Sequence, residues 1–356
     1  MDLQFERMLQ GTSPMLALAP MQDVTDLPFW RVLTRYDGAD LYYTEYFRVY
    51  PGSVPDKNIA RSILENPTGR PVVAQMIGND PVELVRTARL LQEYPVAAVD
   101  LNLGCPAPVV YRKCAGGGLL RDLDRVDAIL GALRDAVKGR FTVKTRLGFE
   151  TPKIFPELLK LLRKHGPDLV AVHTRTVADG YRSPARHSYV LDAVSALECP
   201  VLANGDINSA AQAAAVLNDH RAAGVMVGRG AVRNPWLFHQ IRQHLVGEPV
   251  FVPRGKEVLE YIHLLWESVT DSSAPDRSRV QRIKKHLNFV AAGVSPDFLR
   301  RVQRANSSEE LLFLCGEFLD HDHPMPLEPL QDQATTSPRA AEVPTAQCRR
   351  PGITAG

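Results

Sequence analysis

Val96-Ala97-Ala98-Val99-Asp100-Leu101 runs directly into Asn102-Leu103-Gly104-Cys105-Pro106, and the join between the two decides the fold. The first half is short, apolar and β-branched, whereas the second breaks at glycine and proline, so the stretch predicts a buried strand ending in a sharp loop. One thiol, Cys105, then sits at the C-terminal end of that strand. A lone cysteine is often only a small core residue, so the surrounding chain has to decide between packing and chemistry.

Seven further runs resemble it: Met15–Ala19, Asp40–Thr44, Val72–Met76, Phe141–Thr145, Leu169–His173, Val201–Ala203 and Gly224–Val227, with the stretch above contributing Ala97–Leu101. Helix-like segments alternate with them, among them Pro81–Tyr94, Asp124–Val137, Pro156–His165 and Ser209–Asn218, with apolar residues at three-and-four spacing. Ser209 reads as an N-cap. Eight such units within residues 1–245 predict an α/β fold of the (β/α)8 TIM-barrel type. An open doubly wound sheet is the competing fold, but no GxGxxG follows the first strand.

Past Phe251 the strand pattern stops. Glu257–Val269, Ser278–Ala292, Pro296–Gln303 and Glu309–Leu319 all carry helical spacing, so residues 250–322 read as a small all-helical domain. The segment 323–356 is rich in Pro, Ala and Thr with few large apolar residues, and predicts a disordered tail.

The chain has 356 residues, enough for a barrel with an appendix, and its 45% hydrophobic and 23% charged content is that of an ordinary folded protein. No apolar run approaches the roughly 18 residues of a membrane span, and the N-terminus lacks a signal-like apolar core. A cytoplasmic monomer without membrane contact is expected. The five cysteines, Cys105, Cys114, Cys199, Cys315 and Cys348, form no Cys-x-x-Cys pair, so reduced thiols are expected and no zinc site is. With a net charge of +2, any polyanion-binding surface has to be local.

In a TIM barrel, chemistry sits where the strands end. The runs here exit at Pro20-Met21, Thr44-Glu45, Gln75-Met76, Asn102 and Cys105, Lys144 and Arg146, then His173 and Arg175. Polar residues leaving so many apolar strands at one rim are poorly explained by core packing. Asn204-Gly205-Asp206 and Gly228-Arg229-Gly230 follow the last two strands, where this fold commonly holds phosphate; such turns also simply end strands. A thiol, a lysine, a histidine and a phosphate cradle in one mouth point to flavin mononucleotide (FMN). Lys144 would face the flavin N1 edge, with Met21 and Gln75 around the ring. No cluster has metal-ligand spacing.

These residues resemble those of the tRNA-dihydrouridine synthases, flavin enzymes that reduce uridine in tRNA. The likeness runs through Leu18-Ala19-Pro20-Met21, Thr44-Glu45, Gln75-Met76, Asp100 to Pro106, Gly116 to Leu120, and Lys144-Thr145-Arg146-Leu147-Gly148. It continues through Val172 to Thr176, Asp179-Gly180-Tyr181, Asn204 to Ile207 and Val227 to Gly230. The resemblance implies FMN as cofactor, NADPH or NADH as hydride donor, and tRNA as partner. It further implies Cys105 as general acid and Pro20, Met21, Gln75, Lys144, His173, Asn204, Gly205, Asp206, Gly228 and Arg229 around the cofactor. Glu45, Asn102, Arg146, Arg175 and Tyr181 would lie toward the substrate. Cys114, in the same loop, competes for the acid role or is a packing residue.

Between Arg277 and Arg304 stand eight Lys/Arg and one acidic residue, Asp297. Arg279, Arg282 and Lys285 follow at three-residue steps, apart from the stripe Val280, Ile283, Leu287. A solvated face explains this pattern; beside a flavin site, Arg282 and Lys285 become expected contacts to tRNA phosphate. Two other readings stay open: an FMN-dependent barrel reductase of a free pyrimidine or other small enone-like metabolite, and a catalytically retired RNA-binding protein. The basic helices and the lack of iron–sulfur cysteine clusters weigh against the first. Intact Asn102, Cys105, Lys144 and His173 weigh against the second.

Overall fold

The computed structural model describes residues 2–329. Its sheet contains β1 (Met15–Leu18), β2 (Leu41–Tyr43), β3 (Phe47–Arg48), β4 (Val72–Ile77), β5 (Ala98–Leu103), β6 (Arg140–Arg146), β7 (Leu169–His173), β8 (Val201–Asn204) and β9 (Gly224–Val227). All pairings are parallel; β1 joins both β2 and β9, and β2 reaches over to β4, so eight strands close into a barrel. The short β3 pairs only with the end of β4 at Phe47↔Met76 and Arg48↔Ile77. The expected (β/α)8 barrel is therefore present, with one extra strand segment at the rim.

Period-two alternation sorts each strand into an inner and an outer face. Met15, Ala17, Leu41, Tyr43, Val73, Leu169, Ala171, Leu202 and Met226 form the apolar inner cluster, joined by Phe5. Phe5 belongs to the helix Leu3–Gln10, whose N-cap Asp2 accepts hydrogen bonds from the N–H groups of Gln4 and Phe5. Higher in the barrel the same inner face carries Gln75, Asp100, Asn102, Thr142, Lys144, His173 and Asn204, all buried.

The helix Ala210–His220 starts as expected, with the Ser209 hydroxyl accepting from Gln212 N–H at 3.3 Å. Four helices follow the barrel: Gly255–Val269, Asp276–Ala291, Pro296–Arg304 and Ser308–Leu319. They share one continuous apolar core with the barrel's outer layer, which includes Leu33, Tyr261, Ile283, Leu287 and Leu319. The onset expected for the tail, residue 323, is too early: Met325 N–H donates to Pro253 C=O at 2.7 Å and Leu327 is fully buried. The rest of that expected tail, and Cys348, lie outside the described residues. Among the described residues no helix is long and apolar enough to cross a membrane.

Candidate active site

β5 continues to Leu103, two residues beyond its expected end, so Asn102 belongs to the strand and Cys105 to the loop. Asn102 Oδ1 accepts from the N–H groups of Gly104 and Cys105, both at 2.9 Å, and so folds the loop back on its own strand. Asn102 Nδ2 donates to Gln75 Oε1 at 2.8 Å, Gln75 Nε2 donates to Asp100 Oδ2 at 2.8 Å, and Thr142 Oγ1 donates to Asp100 Oδ1 at 2.6 Å. The expected roles of Gln75 and Asn102 beside cofactor and base thus meet a side-chain network that already engages both. Asp100, Thr142 and Tyr46 were not singled out in the sequence. For the first two the signal was there: each shares strand parity with a residue that was, Asn102 and Lys144.

Burial pushes the Cys105 thiol above its ordinary range, against the opposing pull of the Ala107 backbone and of the neighbouring Tyr46. The thiol therefore keeps its proton at neutral pH. Cys199 and Cys315 are free as well.

Across the barrel, Lys144 Nζ donates to Asn204 Oδ1 at 3.0 Å, and Asn204 Nδ2 donates to Met226 C=O at 2.7 Å. Burial first, and the Arg146 charge second, bring Lys144 down to about 8. His173 falls well below its ordinary value through burial, Arg146 and Lys144, so its ring is neutral. Its Nε2 accepts from Arg175 Nη1 at 3.3 Å. Arg175 is also ion-paired with Asp206, which holds Arg229 at 3.2 Å; these partners outweigh burial and keep the Asp206 carboxyl low.

Lys144, His173 and Asn204 line a cavity with Pro20, Met21, Tyr181, Gly205, Asp206, Gly228 and Arg229. A Cβ on Gly228 would stand 3.3 Å from Met21 Sδ, and one on Gly230 would stand 2.3 Å from Ile207 C=O, so these glycines bring backbone close to the cavity wall. Arg229 lies over the Tyr181 ring at 4.4 Å. Arg146 lies 5.4 Å from the same ring and donates to Thr176 C=O at 2.7 Å and Gly180 C=O at 3.0 Å, so it shapes the loop that carries Tyr181. Sequence reasoning missed Asn208 and Arg233. Arg233 Nη1 donates to Asn208 Oδ1 at 2.9 Å, while its buried Nε has no partner. With Lys144 and Arg229 in the cavity lining, Arg233 behind Asn208, and Asp206 already shared between two arginines, the donor set suits an anionic ligand such as a nucleotide phosphate.

The remaining predicted residues lie to one side. Glu45, raised to about 7 by burial, accepts a hydrogen bond from Asp23 N–H. Arg282 and Lys285 are not free: Arg282 pairs with Asp26, and Lys285 Nζ donates to Asp23 Oδ2 at 2.9 Å.

The family model described as dihydrouridine synthase (Dus) matches residues 17–319. A tRNA-dihydrouridine synthase B of Xanthomonas campestris pv. campestris is 32% identical over 319 residues, 86% of this chain and 93% of that protein. One from Pasteurella multocida is 30% identical over 311 residues, covering 85% and 92%. Among solved structures, histamine dehydrogenase from Rhizobium sp. 4-9 has TM-score 0.53 at 10% identity, covering 86% of this chain and 62% of that one. The 6-hydroxypseudooxynicotine amine oxidase of Pseudomonas geniculata has TM-score 0.52 at 10% identity, covering 74% and 53%. Those two support the barrel alone. Together with the barrel and its cation-rich mouth, the family match across residues 17–319 establishes that the chain belongs to the dihydrouridine synthase family, a family of flavin-dependent oxidoreductases.

Proposed function

We propose that the protein reduces the C5=C6 bond of a uridine in tRNA to 5,6-dihydrouridine, using FMN recharged by NADPH or NADH, with Cys105 as general acid. The observation that carries this reading is the half-buried, protonated Cys105 thiol, its loop fixed by Asn102 at the same barrel end as the cavity of Lys144, His173 and Arg229. The names of the curated relatives supply the substrate class.

Gly205, Gly228 and Arg229 would hold the phosphate, with Asp206 aiming Arg229. Pro20, Met21, Gln75, Lys144, His173 and Asn204 would surround the ring system. When bound, the flavin supplies the hydride. The chain's own contribution is positioning and a proton. Glu45, Asn102, Arg146, Arg175 and Tyr181 bound the space beside Cys105 and orient the base. Hydride addition at C6 leaves charge at C5, and the Cys105 Sγ–H proton neutralises it. A thiol whose proton is held by burial is a ready acid at pH 7.

In Cys105→Ala, NADPH should bleach the protein-bound flavin at the parent rate, while dihydrouridine formation in tRNA falls about 100-fold, the usual scale for one acid. Equal dihydrouridine formation by the variant overturns the role of Cys105. Absence of flavin from the purified protein overturns the whole reading.

A further inference from the structure

The loop that leaves β1 carries Pro20 and Met21 into the cavity wall, and it is held from two directions. From inside, Thr25 Oγ1 accepts from Met21 N–H at 2.7 Å and donates to Ala19 C=O at 3.0 Å, and Trp30 Nε1 donates to Thr25 C=O at 2.8 Å. From outside, one face of the helix Asp276–Ala291 reaches the same loop. Arg282 Nη1 donates to Asp23 C=O at 2.9 Å while its Nη2 pairs with Asp26. Lys285 Nζ donates to Asp23 Oδ2 at 2.9 Å, and His286 Nε2 donates to Val24 C=O at 2.9 Å. Positions 282, 285 and 286 are spaced three and four apart, so they share one helix face.

The loop needs such support. Asp23 has φ +60, in the left-handed region a non-glycine residue rarely adopts, and its N–H is taken by Glu45. Asp26 caps the next helix by accepting from Phe29 N–H at 3.3 Å, so its carboxylate ties cap and clamp together. His286 is fully buried, and its ring lies 5.7 Å from Phe29.

We propose that Arg282, helped by Lys285 and His286, is a positioning residue for the cofactor wall: it holds the 19–26 loop in the shape that places Pro20 and Met21 at the cavity. The basic helix then acts on the barrel mouth itself, and the two cations are engaged within the protein rather than reserved for RNA phosphate. The flavin part of this inference rests on the reading under Proposed function; the clamp does not.

The test uses the full chain. Hydrogen exchange in residues 19–26 of Arg282→Ala should speed up by on the order of tenfold, and the affinity for added FMN, read by flavin fluorescence, should fall by a similar factor. Arg282→Lys keeps the charge but cannot grip carbonyl and carboxylate together, so it should lie between parent and alanine variant. Lys285→Ala should show a smaller change in both and serves if the Arg282 variants fail to fold. tRNA affinity at saturating FMN should keep its salt dependence. Unchanged exchange in both Arg282→Ala and Lys285→Ala overturns the clamp. So does unchanged FMN affinity combined with a shallower salt dependence of tRNA binding, which marks Arg282 as a phosphate contact. Faster exchange in a protein that binds no FMN even as the parent sinks the flavin reading and leaves the clamp standing.

Discussion

Asp100 is the final acceptor of the network under Cys105: Thr142 and Gln75 donate to it, Asn102 donates to Gln75, and the Cys105 loop donates to Asn102. Each amide therefore has a fixed orientation, set by a carboxylate at the far end. Asparagine at position 100 would turn a donor against Thr142 or Gln75, and an unsatisfied buried group costs about 1–3 kcal/mol. The pH dependence has a definite sign. Burial raises Asp100 from 3.8 to about 7, so its contribution to stability is full below 3.8 and lost as pH rises through 7. Parent and Asp100→Asn should therefore differ by about 2 kcal/mol more at pH 5 than at pH 8 in urea unfolding. A constant difference would contradict the raised carboxyl. Cys105, Lys144 and His173 were legible from strand ends alone, because residue type and position suffice there. Asp100 was marked only by its strand parity with Asn102, and inside a run of apolar letters it looks like an interruption until its partners on β4 and β6 are known.

The strands were the most legible elements, because buried parallel strands are nearly all apolar and stand out against amphipathic helices. The two-residue β3 and the eight-residue Leu3–Gln10 helix escaped because each is shorter than the window over which its period can be recognised. Loop architecture was also hidden, since it depends on one long side chain crossing between strands. Arg146, 1% exposed, reaches from β6 to Thr176 C=O and Gly180 C=O and so fixes where Tyr181 stands. Arg146→Lys retains the charge but loses the planar guanidinium that lies by the Tyr181 ring while its Nη1 holds both carbonyls. It should raise KM for tRNA on the order of tenfold with kcat changed less, the pattern of lost ground-state positioning. Steady-state kinetics with saturating NADPH and a melting curve close to the parent's would confirm it. A proportional loss in kcat at constant KM would point instead to a direct role in the reaction.

For the molecule as a whole, the sequence suggested a barrel and a separate helical domain, and the elements on either side of residue 250 are those expected. Their independence is not supported by the packing. The Tyr261 hydroxyl on the helix Gly255–Val269 donates to Val232 C=O at 2.7 Å, the Tyr261 ring meets Tyr36 edge-on at 5.6 Å, and one apolar core runs through both parts. Composition reveals that a helix has an apolar face but not which surface covers it. A shared core predicts one cooperative transition: fluorescence of Trp30, Trp236 and Trp266 and far-UV circular dichroism should give coincident urea curves, and two separated transitions would show separable domains. The clamp between Arg282 and the β1 loop extends the same logic to inheritance. The acidic pair Asp23 and Asp26 and the basic face opposite are one unit split between distant parts of the chain. A chimera that imports residues 250–322 from a relative has to import a matching loop at 19–26 as well, or the new helices will arrive with nothing at the barrel mouth to grip.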